Sequence, residues 1–317
     1  MPELPEVETV RRGLQRLIVG RKILDVEIHN CSSLQASTAD IKKFLAGAEI
    51  TATRRRAKVL MIDLSTKYSL VIHLKMTGQL VFRGDEAWAA GHPNDSFVAD
   101  LPDRSTRVEF VLSSQVENPE KTKPDTKTYQ LTNLQTCKLF FNDQRKFGWI
   151  KLLPTIEVEN IDFMKRVGPE PLTGDAKLPQ QFLTNIRRHN NTTIKAAILD
   201  QAVIAGIGNI YADESLWMAK IHPETRVRDL SDKKLRELLN CAIDIMQKSI
   251  DSGGSTMKNY IRADGSRGNY LEKFANVFRR EGQPCPRCGT TIQKMRVAGR
   301  GTHICPKCQR FGEWIKN

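Results

Sequence analysis

Residues 48–74, AEITATRRRAKVLMIDLSTKYSLVIHL, decide the fold class of the first half of this chain. Three runs, Ala48–Arg55, Val59–Leu64 and Leu70–Leu74, are β-branched, partly alternating and separated by turn residues. Short runs of that kind read as strands joined by tight turns. Working outward, Lys22–Ile28 precedes them with the same pattern, and Arg107–Leu112, Lys138–Asn142 and Trp149–Leu153 continue it. Ahead of all these, Val7, Val10, Leu14 and Leu17 recur at helical spacing, and Gly20 is a helix stop. The first half is therefore expected to be an antiparallel β domain behind one N-terminal helix. Residues 84–103 and 113–136 are polar and turn-rich, and are expected to be surface excursions between strands. Pro154–Asp162 reads as a linker.

The period then changes. Ile194–Leu199, Asn209–Lys220 and Ser231–Ser249 read as helices, the last with Ser231 as its N-cap. Gly253–Gly268 reads as a loop, and the tail from Cys285 as short hairpins around a metal. The chain has 317 residues and a formal net charge of +13. A basic excess of that size points to a polyanionic partner, most often nucleic acid; an anionic lipid or a ribosomal surface is the plainer alternative. Charges at Glu3, Glu6, Glu8, Arg11, Arg12 and Arg16 leave no room for a secretory signal. With no long apolar run, no membrane span is expected.

Of the 7 cysteines, Cys31, Cys137 and Cys241 are scattered, while Cys285, Cys288, Cys305 and Cys308 form two CxxC pairs. Each CxxC lets two thiolates grip one ion from a tight knuckle, and two knuckles complete a tetrahedron. The pattern predicts one structural Zn2+ in a reducing compartment rather than a disulfide framework. The segment between the knuckles, Lys294–His303, is basic and suits a hairpin that holds an arginine against DNA.

Three further stretches carry chemistry. In Ala205-Gly-Ile-Gly-Asn-Ile-Tyr211, Gly206 and Gly208 permit a close backbone approach, and the helix start that follows can offer amides to a phosphate; otherwise the stretch is an ordinary helix–helix turn. Phe141–Trp149 interleaves cations and aromatics at a strand end. Such a set can contact phosphate and press a ring into a base stack, or simply face its rings to the core. Finally, with Met1 removed, Pro2 presents a secondary amine. An α-amino group has a pKa of about 8, so neutral amine is available to attack an aldehyde-like carbon. Glu3 beside it can transfer protons. Proline and glutamate are also ordinary residues for starting a helix.

Together these motifs resemble the bacterial formamidopyrimidine-DNA glycosylase family. The resemblance spans the chain: MPELPEVET, Arg56-Ala-Lys58, His73–Gly78, Asp143–Gly148, Gly168–Pro171, Ile194–Tyr211, Gly253–Thr256 and the tail ending CPKCQR. It implies a multidomain α+β architecture. A catalytic β-sandwich domain with its N-terminal helix would occupy 1–154, with insertions near 84–103 and 113–136. A helical DNA-binding domain with a helix–two-turn–helix would occupy 155–282, and a β-hairpin zinc finger 283–317.

The resemblance also implies roles. Pro2 matches the nucleophile, Glu3 its acid/base partner and Glu6 a supporting carboxylate. Lys58 matches the proton donor of the first strand-cleavage step, and Arg300 the zinc-finger arginine that holds phosphates and assists the second elimination. Met76, Arg145 and Phe147 match the trio that fills the gap left by an extruded base. Lys195 and Asn209 match phosphate contacts. A histidine that contacts DNA in many members falls on Ser105, with Arg107 as its substitute. The implied activity is excision of oxidised purines from double-stranded DNA, with strand cleavage by β,δ-elimination, by a monomer in the bacterial cytoplasm at the nucleoid. Leu4, Met76 and the long loop from Gly253 favour purines over the oxidised pyrimidines of the endonuclease VIII type. A non-catalytic zinc-dependent binder of damaged DNA would share the charge and the cysteines.

Overall fold

The computed structural model describes residues 2–92, 95–114, 136–253 and 275–312. The chain forms two compact units. Among the described residues, one holds Pro2 and the chain from Glu6 to Ile161; the other holds Glu3–Pro5 and residues 162–253 and 275–312.

Helix α1 (Leu4–Ile18) is followed by β1 (Ile23–Ile28), β2 (Leu34–Gln35) and a short α2 (Thr38–Asp40) that runs into a π turn at Ile41–Leu45. Then come β3 (Ile50–Arg56), β4 (Val59–Leu64), β5 (Tyr68–His73), β6 (Gly78–Arg83), β7 (Ala87–Gly91), β8 (Thr106–Ser113), β9 (Thr136–Asp143) and β10 (Trp149–Pro154). They make two five-stranded sheets, ordered β1-β8-β9-β6-β7 and β2-β10-β5-β4-β3. Every pairing is antiparallel except β2 with β10. The inward residues of both sheets form one core, with Leu60, Ile62 and Ile72 from one sheet and Val81, Phe110 and Phe140 from the other. Val7, Val10, Leu14 and Leu17 of α1 join that core, as their helical spacing predicted.

Three strands were not anticipated, the first of them the two-residue β2. β6 is buried along nearly its whole length, as β4 is. β7 lies inside the expected excursion at 84–103, where alanines disguise a strand. Its Trp88 packs against α1, so that a Cβ on Gly13 would lie 2.2 Å from the indole. That stretch is thus partly core rather than surface. Of the stretch 113–136 only the ends lie among the described residues, and the loop at 253–268 falls almost wholly outside them. The linker Pro154–Asp162 contains a 3-10 helix, Thr155–Asn160.

The second unit contains α3 (Asp162–Arg166), α4 (Leu178–Arg187), α5 (Ile194–Leu199), α6 (Asn209–Met218) and α7 (Asp232–Asp251), then the hairpin β11 (Gln293–Val297) and β12 (Arg300–Ile304). Ser231 caps α7 by accepting the Lys234 amide at 3.2 Å. The amphipathic α4 was not foreseen; its Leu178, Phe182, Leu183 and Ile186 face the helical core. Leu4 belongs to the same core. The tail does not stand alone, because Trp217 of α6 packs with Val277, Cys285, Ile292 and Cys305. Among the described residues no helix is long and apolar enough to cross a membrane.

Candidate active site

In the first unit, Pro2 is buried and Glu6 half-buried. Lys58 sits in the tight turn between β3 and β4 and is only 5% exposed. The turn is made by Ala57, which has a left-handed φ of 52°. Arg55 holds it, donating from one Nη to the Ala57 carbonyl at 3.1 Å and from Nε to Glu8 at 3.1 Å. Burial pushes the Glu8 carboxyl up, but the hydrogen bonds and charges of Arg11 and Arg55 outweigh that and hold it at about 2.

Met76, Arg145 and Phe147 are exposed, and the Arg145 guanidinium lies 4.8 Å from the centre of the Phe147 ring. Each of their loops is stiffened by a buried polar group. Ahead of Met76, Lys75 has φ 50° and donates its amide to Nδ1 of His73 at 3.0 Å. That bond needs a bare Nδ1. Burial, with the charges of Lys75 and Lys58, pushes the imidazole down to about 3, so it is neutral. Ahead of Phe147, Lys146 has φ 57°. Asp143, 1% exposed, accepts the Gly148 amide at 2.6 Å and the Arg145 amide at 3.2 Å. The Thr77 hydroxyl donates to the same carboxylate, which ties the Met76 loop to the Arg145–Phe147 loop. Of the three aromatics in this stretch, Phe141 is core, Trp149 is half-buried and Phe147 is outside. Arg107 is buried and donates to the Asp143 carbonyl at 2.8 Å, and Ser105 is buried on Asp103.

In the second unit, the start of α6 is occupied. The Gly208 amide donates to Glu3 at 2.6 Å and the Ile210 amide at 3.0 Å, so both carboxylate oxygens are held. A Cβ on Gly208 would lie 2.4 Å from the Glu3 carboxyl carbon. Gly206 has φ +88°, and a Cβ there would meet Leu4 at 2.5 Å. The expected phosphate site on this helix start is therefore corrected. The glycines admit the N-terminal segment, and the helix amides hold a side-chain carboxylate in place of a phosphate.

Arg300 is exposed at the head of β12, directly after Ala298 and Gly299, whose φ values are 49° and 73°. Asn209 donates to the Gly301 carbonyl at 2.9 Å. Lys195 differs from expectation. It is fully buried, donating to Asp213 at 2.6 Å and to the Thr302 hydroxyl at 2.7 Å. An ammonium so enclosed cannot touch a phosphate directly; it braces the hairpin instead. Burial lowers its pKa, with Asp213 pulling the other way. Glu214 is buried too, and accepts the amides of Asn276, Val277 and Phe278.

The four thiols of Cys285, Cys288, Cys305 and Cys308 lie within 4.8 Å of one another. Tetrahedral Zn–S bonds of about 2.3 Å require sulfurs about 3.8 Å apart. The separations of 4.0, 3.4 and 3.5 Å for three of the pairs fit that cage. These cysteines hold one structural Zn2+, a closed site that supplies folding energy to the tail rather than chemistry. Trp217 donates its indole N–H to Cys285 Sγ at 3.4 Å.

Thr77, Asp143, Asp213, Glu214 and Trp217 carry no role in the sequence reading. Asp143 has a faint signal, an aspartate opening a polar strand end with Gly148 five positions on. Asp213 and Trp217 stand one helical turn apart on α6, a spacing that helices show everywhere.

Three family models match in order: the formamidopyrimidine-DNA glycosylase N-terminal domain over residues 1–150, the H2TH domain of the same glycosylase over 167–260, and the zinc finger found in FPG and IleRS over 282–310. Fold and site together define the class, a zinc-finger DNA glycosylase. A formamidopyrimidine-DNA glycosylase of Pelotomaculum thermopropionicum is 39% identical over 98% of this chain and 99% of its own. The Lactococcus lactis Fpg in complex with DNA containing an abasic site is 33% identical, with a TM-score of 0.79, over 97% of this chain and 99% of that one. A MutM bound to DNA containing carbocyclic 8-oxo-G is also 33% identical, with a TM-score of 0.77 over 98% of this chain and 100% of that one. This chain belongs to the formamidopyrimidine-DNA glycosylase family, and is a DNA glycosylase of base-excision repair that acts on damaged DNA.

Proposed function

We propose that the protein excises oxidised purines, 8-oxoguanine and formamidopyrimidines, from double-stranded DNA through a Schiff base on Pro2, and then cleaves the strand by β,δ-elimination. The observation that carries this reading is the N-terminal pair: Pro2 is joined to Glu3, whose two oxygens are fixed by backbone amides. A carboxylate fixed by two amides can move a proton without swinging away. With Met1 removed, the Pro2 nitrogen attacks the anomeric carbon, the base departs with a proton, and an iminium remains. Lys58, held in its turn, serves the first elimination, and Glu6 supports the carboxylate chemistry.

The target base must leave the stack, since its anomeric carbon is hidden inside a duplex. Met76, Arg145 and Phe147 fill the gap, partly offsetting the cost of a few kcal/mol for extrusion. Their exposure on stiffened loops favours this role. Arg300 and Asn209 hold phosphates, and Arg300 assists the second elimination. The same reading divides the chain at 154/155 and 282/283, and has one copy acting alone in the bacterial cytoplasm.

Borohydride trapping on an 8-oxoguanine duplex tests the reading. A covalent adduct is expected, and it should vanish when the amino terminus is blocked. Undiminished trapping on the blocked protein removes Pro2 from the chemistry. Preference for thymine glycol over 8-oxoguanine would move the assignment to oxidised pyrimidines, and binding without any adduct would leave a non-catalytic damage binder.

A further inference from the structure

Asp213 is a buried carboxylate that the chemistry above does not use, and it joins three elements of the second unit. It accepts Lys195 Nζ of α5 at 2.6 Å and the His303 amide of β12 at 2.9 Å, with the His303 Nδ1 at 3.2 Å. Lys195 in turn donates to the Thr302 hydroxyl at 2.7 Å, which itself donates to the Arg300 carbonyl at 3.1 Å. The spacing has a geometric meaning. Asn209 and Asp213 stand four apart and so share one face of α6. Gly301 and His303 stand two apart and so share one edge of β12. Asn209 takes the Gly301 carbonyl and Asp213 the His303 amide. Two anchors at matched spacing fix the register of the strand on the helix, and Arg300 is the residue next to the first anchor. A buried ion pair rarely stabilises more than an apolar pair of the same shape, and its better-attested use is to fix a unique geometry.

We propose that Asp213 is a positioning residue for Arg300, acting through Lys195, Thr302 and the backbone of β12. The proposal rests on the reading of Arg300 as the group that assists the second elimination. The test uses the full-length zinc-loaded protein on a duplex with an abasic site, following the first- and second-elimination products in single turnovers. Asp213→Asn is expected to slow the second elimination at least tenfold and the first less than twofold. In an Arg300→Ala background the same change should alter either rate less than twofold, because its target is gone. A merely structural role would slow both steps together, and would do so in both backgrounds; either result overturns the proposal.

If Arg300→Ala slows the second elimination and Asp213→Asn does not, the link from Asp213 fails while the reading of Arg300 stands. If Arg300→Ala itself leaves that step unchanged, both fail. Zinc content and melting temperature report folding. Should Asp213→Asn not fold, Thr302→Val decides by the same criteria. It removes the hydroxyl between Lys195 and the Arg300 carbonyl and is expected to give a smaller loss of the same selectivity.

Discussion

The two units hold their candidate site side chains by different physical means. In the first, Lys58, Met76 and Phe147 each follow a residue with a left-handed backbone, Ala57, Lys75 and Lys146. None of the three is glycine, and each costs roughly 1–2 kcal/mol in that conformation. Neighbouring polar groups hold the strained turns: Arg55, His73 and Asp143. In the second unit Arg300 also follows left-handed residues, Ala298 and Gly299, but it and Glu3 are held by buried charge and by backbone amides. A side chain at the tip of a turn can be removed without disturbing what holds the turn. A member of a buried charged network cannot, because its partner is left uncompensated in low dielectric.

Zinc removal should give the largest effect and the clearest contrast. Chelation is expected to lower affinity for damaged duplex at least a hundredfold. It should also strip hydrogen-exchange protection from β11 and β12 while β4 and β5 keep theirs. Equal loss in both sheets would break the distinction. Next in size is a matched pair of truncations followed by urea unfolding. Asp213→Ala leaves Lys195 unpaired and should cost about 3–5 kcal/mol. Phe147→Ala removes an exposed ring and should stay within about 0.5 kcal/mol, while weakening binding to lesion duplex. Comparable stability losses would show that the Phe147 loop is also part of the packing.

Arg300→Ala is a smaller change. It should reduce the slope of log affinity against log salt by about 1, for one lost phosphate contact. An unchanged slope would mean that Arg300 makes no such contact. The smallest effect concerns pH. Glu8 is ionised down to about 2 in the folded protein, against an ordinary value of 4.5. Its contribution is therefore fully present above pH 4.5 and is lost as pH falls through about 2. Comparing urea midpoints at pH 5 and pH 3, Glu8→Gln should flatten the acid decline of the wild type. A decline as steep as the wild type's would show that Glu8 does not link the first unit's stability to pH.

Local patterns were legible in the sequence where a β-branched run or an apolar helical spacing stands between turn or capping residues. Val59–Leu64 and Ile194–Leu199 fall on the residues their periodicity indicated. β7 escaped because it is built of alanine and tryptophan, and β6 lay outside the runs read although it is no more buried than β4. The metal ligands were legible because CxxC spacing is itself the geometry of a knuckle. The occupant of the α6 start was not. A phosphate and a carboxylate are equivalent to a helix terminus, and only the folded chain shows that Glu3 is already there.

The sequence by itself thus determined most of the strands, the helix with a capped start at Ser231 and the four zinc ligands. Only the tertiary structure decided what holds Glu3, that Lys195 is buried with Asp213 rather than open to a phosphate, and that Thr77 and Asp143 tie two loops together. The reason is physical. Periodicity and ligand spacing are properties of neighbours along the chain. A backbone amide exists at almost every residue, and so leaves no mark in the sequence to say which distant carboxylate it will hold.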